Sequence, residues 1–210
     1  MKLNKFNSKE LVCYYNSTEP IKLPQFKLDE NKTRGIWVSN VANIDTPVMK
    51  DVESYKEYLV KMVENIASYN INLMIFQVRP TNDAYYKSKL NPWSRFITGV
   101  EGKDPGFDVL EFVINEAKKY GIEVHAWMNP YRIAMKTLEQ MGMTKEEYLD
   151  TLAENNYARL HKEDTILDGL GKVILKPASD SVIKFVTDTI MEVVDNYDVT
   201  YINSLKNHSQ

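Results

Sequence analysis

The 210 residues are 43% hydrophobic and 26% charged, the make-up of a globular domain large enough to bury a core, which excludes a disordered or fibrous chain. Lys and Arg number 26 against 29 Asp and Glu, for a formal net charge of −3; no segment gathers basic residues with interleaved aromatics, so a nucleic-acid partner is not expected. Cys13 is the only cysteine, which rules out an internal disulfide. The longest apolar stretch, 71–78, is broken by Asn72 and Gln77 and falls short of the ~20 residues of a membrane span.

Residues 1–33 show no sustained period, contain Pro20 and Pro24, and read as a lead-in arm. Met1 to Asn16 holds no apolar run of the about 7 to 15 residues that a signal peptide needs, so the chain as written reads as cytoplasmic. From Arg34 the pattern changes. Gly35 to Ser39 reads as a short buried strand. Asp51 to Tyr69 follows as a helix, with Val52, Tyr55, Leu59, Met62, Val63 and Ile66 on one face. A second strand, Ile71 to Arg79, stops at Pro80, and its helix runs from about Phe107 to Tyr120 with Val109, Leu110, Val113, Ile114 and Ala117 inward. Gly121 suits the left-handed position that ends a helix. Ile122 to Met128 is the third strand. Thr144 with Glu147 forms a capping-box pattern opening a helix to about Asn156. Residues 165–175 look like two short strands around a Gly turn. The last helix, about Ser179 to Asn196, has Val182, Ile183, Val186, Ile190, Val193 and Val194 as its inward face, and Val199 to Asn203 reads as a final strand.

Strands alternating with helices through short links imply an α/β fold with a parallel sheet, either doubly wound or a (β/α)8 TIM barrel. The third strand decides between them. Glu123, His125, Trp127 and Asn129 fall on one side and Val124, Ala126 and Met128 on the other. A central strand of a doubly wound sheet is apolar on both sides because helices cover both. A polar and aromatic side fits a barrel interior opening into its mouth, and Gln77 and Arg79 repeat the pattern on the second strand.

In such a barrel, functional groups gather at the C-terminal ends of the strands. Those ends are Ser39-Asn40, Arg79 to Asp83 and Asn129 to Arg132. The connection from Pro80 to about Gly106 is far longer than the roughly 2 to 6 residues usual there, and it carries Tyr85, Tyr86, Trp93 and Phe96. Aromatic faces beside amides and guanidinium groups suit sugars, with their apolar C–H faces and hydroxyl rims. Asp83 is the carboxylate close behind a strand end in this loop. His125, His161 and His208 lack ligand spacing, residues 169–172 lack the full phosphate-loop pattern, and no nucleophile elbow occurs. No metal and no cofactor are expected.

Four blocks carry a resemblance: Arg34 to Ser39, Phe76 to Tyr86, Pro92 to Ser94, and Gly121 to Arg132. In that order, over about Arg34 to Asp198, the chain resembles the glycosyl hydrolase-like 10 family. The resemblance implies a barrel enzyme acting on glycan chains, with peptide-free strands of bacterial peptidoglycan as the expected substrate and a location outside the cytoplasm. It makes Asp83 the candidate catalytic acid. Arg79, Asn82, Trp93, His125, Trp127, Asn129, Tyr131 and Arg132 are the candidate glycan-binding residues. Family members continue into a strand of the type Asp-Gly-Ile-His-Phe-Asp-Asp-Tyr, whose acids lie at the mouth, whereas Thr200 to His208 lacks them. A whole barrel takes about 250 residues. The expectation is therefore an arm at 1–33, a barrel truncated to about its first four βα units at 34–203, and a polar tail at 204–210. Exposed barrel edges invite self-association. The alternative function is a non-catalytic glycan-binding remnant or a degenerate fragment.

Overall fold

The computed structural model describes residues 5, 8–22 and 32–204; the expected tail beyond Ser204 and parts of the expected arm lie outside them. Contacts divide the chain into two compact units, Met1–Thr33 and Arg34–Gln210. The first contains a small hairpin rather than an irregular arm. Asn16, at φ 53°, turns the chain so that Cys13 bridges Pro20 and Ile21 N–H donates to Val12 O.

The second unit follows the expected alternation. β1 (Gly35–Val38), α1 (Val52–Ser68) and β2 (Leu73–Arg79) form the first repeat. After β2 come a short helix α2 (Arg95–Thr98), then α3 (Val109–Lys118) and β3 (Glu123–Met128). Between β3 and the last helix lie α4 (Leu138–Met141), α5 (Lys145–Asp150), α6 (Tyr157–Leu160) and the antiparallel pair β4 (Thr165–Leu167) and β5 (Val173–Leu175). Helix α7 (Asp180–Asn196) and strand β6 (Tyr201–Ser204) complete the described residues.

Caps set these boundaries. Asp51 accepts from Ser54 N–H at the start of α1, Asp108 from Glu111 N–H at α3, and Thr144 from Glu147 N–H at α5, where the capping box is complete. Asn70, at φ 55°, ends the turn after α1, and Asn72 then ties β2 to β1 by accepting from Arg34 N–H at 2.7 Å. Gly121, at φ 65°, lets β3 begin directly after α3. The helix expected from Thr144 to Asn156 stops at Asp150, because Asn156 caps a separate turn by accepting from Ala158 N–H.

β1, β2, β3 and β6 pair in that order and all in parallel. The register puts Trp37, Ile75, His125 and Tyr201 in one row, and Gln77, Trp127 and Asn203 in the next. These rows line one face. The alternate residues, Val38, Met74, Phe76, Val78, Val124, Ala126 and Met128, are buried on the other face against α1, α3 and Val193 of α7. Each large apolar side chain so buried stabilises the fold by about 1.5 to 3 kcal/mol. The two faces differ as a TIM-barrel wall does, with helices outside and an interior surface inside, and the sheet amounts to about the first four strands of such a barrel.

Two burial expectations are corrected. The first strand is not buried throughout: Val38 is covered, but Ile36 is 37% exposed at the sheet edge and Trp37 46% exposed on the inner face, which no described element covers. On α7 the buried face is Val182, Phe185, Thr189 and Val193, while Ile183 and Val194 are exposed on a flank that no described element covers. The segment between β3 and α7 builds a second core from Ile133, Tyr148, Leu149, Leu152, Val173 and Leu175, closed by Val182 and Phe185 of α7.

Candidate active site

Three strand ends meet at Gln77, which is fully buried. Its Oε1 accepts from Asn40 N–H at 2.9 Å and Val41 N–H at 2.8 Å, and its Nε2 donates to Asn129 Oδ1 at 2.7 Å. Asn40 returns the contact, with Nδ2 donating to Gln77 O at 2.6 Å. One side chain of β2 thereby locks the exits of β1 and β3 together.

Arg79, 1% exposed, does the same one step further along. Its Nη1 donates to Asn129 O at 2.8 Å and Pro130 O at 3.1 Å, Nη2 to Asn82 Oδ1, and Nε to Asn91 Oδ1 at 3.4 Å. The Phe185 ring lies 5.7 Å from the guanidinium. Burial lowers the pKa of this group, with Tyr86 and Asp83 acting in the opposite sense. These partners are neutral oxygens, so Arg79 acts as a multi-point anchor for the mouth.

Asp83 is fully buried. One carboxylate oxygen accepts from Thr81 N–H at 2.9 Å and the other from Ser94 Oγ at 2.5 Å. Burial pushes its pKa up, the charge of Glu101 adds to this, and the bonds from Ser94 and Thr81 oppose it. The carboxyl ties the start of the long loop to Ser94 at the head of α2 and is closed off from solvent. Asn82 is equally occupied, since its Nδ2 donates to Asn156 Oδ1 at 2.8 Å while its oxygen holds Arg79.

The inner face holds a different set. The Trp127 ring stands edge-on to Trp37, with centroids 5.0 Å apart at 86°. Two buried donors there make no hydrogen bond, Trp127 Nε1 and Asn129 Nδ2. His125 packs against the Tyr201 ring at 4.8 Å, and its Nδ1 lies 3.1 Å from Asn203 Nδ2. Burial lowers the His125 pKa, opposed by Glu123.

The expected site residues thus fall into three groups. His125, Trp127 and Asn129 share the inner face and its mouth. Arg79, Asn82 and Asp83 form a polar cluster beneath the long loop. The remaining three sit on the packed side of the chain: Trp93 packs on the main core and bridges Ala84, Tyr131 packs on the second core, and Arg132 bridges Ile174 of β5. Burial lowers the pKa of Arg132.

Sequence reasoning placed Gln77 on the polar side of the second strand without giving it a role, and it missed the other residues that hold this arrangement. Glu101, whose side chain is 7% exposed, pairs with Arg95 and accepts from Ala153 N–H at 3.1 Å and Asn156 Nδ2 at 2.8 Å. It joins the long loop to the segment after β3. Gln77 had a readable signal, a polar residue inside an apolar run; Glu101, Ser94 and Asn156 had none. Among the described residues, the group spaced to hold a metal ion is His161, Glu163 and Asp164. The Asp164 oxygens there already accept from Tyr157, Ser179 and Ser181. No helix among the described residues is long and apolar enough to cross a membrane.

A parallel sheet with helices on one face, a bare inner face and polar groups at the strand ends defines a protein of the (β/α)8-barrel class. α-L-Fucosidase isoenzyme 2 from Paenibacillus thiaminolyticus shares the fold, with a TM-score of 0.55 at 12% identity over 85% of this chain and 24% of that one. The chain belongs to the glycosyl hydrolase-like 10 family, whose sequence model matches residues 32–208. It is 35% identical over 176 residues to glycosyl hydrolase YngK of Bacillus subtilis (strain 168), covering 83% of this chain and 32% of that protein. It is 32% identical over 175 residues to glycosyl hydrolase DigH of Escherichia coli (strain K12), covering 79% of this chain and 39% of that protein. The chain therefore spans about a third of the length of the first relative and about two fifths of the second.

Proposed function

We propose that residues 34–203 supply the sugar-facing wall of a glycoside-hydrolase barrel whose substrate is a peptide-free glycan strand of the bacterial cell wall. The observation that carries the reading is the inner face, where exposed Trp37 stands against Trp127 beside two buried N–H donors without acceptors. A pyranose offers what this surface lacks, an apolar C–H face for indole and a rim of oxygens for the donors. The family and the names of its relatives support the reaction class; the cell-wall strand follows from the resemblance.

Glycoside hydrolysis uses a proton-donating carboxyl and a second carboxylate as nucleophile or base. Asp83 is the candidate for the first role, since burial holds its pKa above the usual carboxylate range, as a proton donor requires. A second reading, a glycan-binding wall without turnover, is favoured by the engagement of both Asp83 oxygens inside the loop. There Asp83 positions the loop rather than touching sugar. One experiment separates the two. The purified chain, its Asp83→Asn variant and its Trp127→Ala variant are incubated with peptide-free peptidoglycan strands, and bound strand and released fragments are measured. Turnover lost in Asp83→Asn supports catalysis. Binding without turnover, weakened in Trp127→Ala and kept in Asp83→Asn, supports the second reading. Neither binding nor turnover sinks both.

The same geometry underlies a proposed self-association. Among the described residues β1 and β6 are the edges of the sheet, and they carry exposed Trp37 and Tyr201, the latter 64% exposed.

A further inference from the structure

A buried amide has its orientation fixed when one end meets groups that can only donate. Gln77 meets two such groups, the backbone N–H of Asn40 and of Val41, so the atom facing them is Oε1. The other end is Nε2, and it donates to Asn129. Asn129 is turned in consequence: its oxygen faces Gln77, and the atom left without a partner is the donor Nδ2, on a residue only 2% exposed. Backbone groups at the exit of β1 thus dictate, through Gln77, that the unsatisfied group at the exit of β3 is an N–H. Native structures leave few buried donors unpaired, and Trp127 Nε1 is a second one on the same strand. Both call for an acceptor oxygen.

Resting on the glycan reading above, we propose that Gln77 is a positioning residue that holds Asn129 with Nδ2 presented to a sugar oxygen, and so sets the hydrogen-bonding polarity of the site. A glutamate at position 77 keeps an oxygen for the Asn40 and Val41 N–H groups but sets its other oxygen against that of Asn129. Asn129 then turns over, donates Nδ2 to the glutamate and presents its own oxygen. Asn129→Asp reaches the same end with Gln77 intact, because the carboxylate can present only oxygen.

The test compares the full chain with its Gln77→Glu and Asn129→Asp variants at mildly alkaline pH, which keeps the glutamate ionised. Thermal melting, the side-chain amide resonances of Asn129 in 1H–15N spectra and titration with peptide-free peptidoglycan strands are measured. The expected result is retained folding in both variants, a downfield shift of the Asn129 Nδ2 protons in Gln77→Glu, and a Kd for the strands raised about tenfold in both. A merely structural role for Gln77 would lower the melting temperature of Gln77→Glu while leaving its Asn129 resonance and its affinity for the strands unchanged. An unmoved Asn129 resonance together with undiminished binding by Asn129→Asp overturns the proposal. If the resonance moves while the unaltered chain binds no strand, the positioning stands and the glycan reading is what fails.

Discussion

Replacing Arg79 by methionine removes the anchor of the mouth while filling much of the same space. Three of the oxygens it serves, Asn129 O, Pro130 O and Asn82 Oδ1, lie in a buried cluster and lose their charged donor. Stranding a buried acceptor costs about 1 to 3 kcal/mol. Against this, methionine removes a buried guanidinium whose desolvation is itself unfavourable. Setting that relief against three stranded acceptors gives a net loss of about 3 to 5 kcal/mol, a large part of the roughly 5 to 15 kcal/mol that holds a domain folded. Arg79→Lys keeps the charge but cannot span the same acceptors with one ammonium, and should cost about 2 to 3 kcal/mol. Urea unfolding followed by tryptophan fluorescence measures both, with Trp37, Trp93 and Trp127 as reporters. A loss below about 1 kcal/mol for Arg79→Met would refute the anchoring argument, since it would mean that water or a neighbour already satisfies those oxygens.

Two further outcomes follow from the same contacts. The Asp83 carboxyl has a folded-state pKa above its unfolded value. The neutral carboxyl therefore contributes stability that is fully present below the unfolded pKa and is lost as pH rises through the folded one. Asp83→Asn, neutral throughout, should melt closer to the unaltered chain, or above it, as pH is raised from about 4 toward neutrality; parallel melting curves across that range would contradict the raised pKa. The double variant Trp37→Ser and Tyr201→Ser should sediment as a smaller species than the unaltered chain at the same concentration, and identical sedimentation would discount association through the inner face.

The repeat of strand and helix was legible because burial imposes a period. Val109, Leu110, Val113, Ile114 and Ala117 mark the inner stripe of α3, and all five are buried. The two faces of β3 were legible for the same reason. What could not be read is how the long loop folds back on itself. Ser94 N–H donates to Ala84 O and Ala84 N–H to Pro92 O, and this return carries Asp83 under the loop instead of into the mouth. No local pattern records it, because the partners lie far apart in sequence and are small or polar. The division of the candidate residues between inner face and buried cluster depended on that return. The exposure of Trp37 was hidden differently: a strand of Gly, Ile, Trp and Val looks buried unless its place at the sheet edge is known.

The second core between β3 and α7 bears on the order in which the molecule assembles. Gly35 finds Leu73 across one helix and Leu73 finds Glu123 across the long loop and two helices, but His125 reaches Tyr201 only across the whole segment that follows β3. Closing so long a loop is entropically unfavourable in proportion to the logarithm of its length. Because that segment collapses around Tyr148, Leu149 and Val173 and seats Val182 and Phe185 of α7 on itself, most of the loop is already condensed when β6 joins. The segment is thus expected to act as a folding scaffold for the fourth strand, with deletions inside it slowing the docking of β6 in refolding kinetics more than they disturb the first three strands.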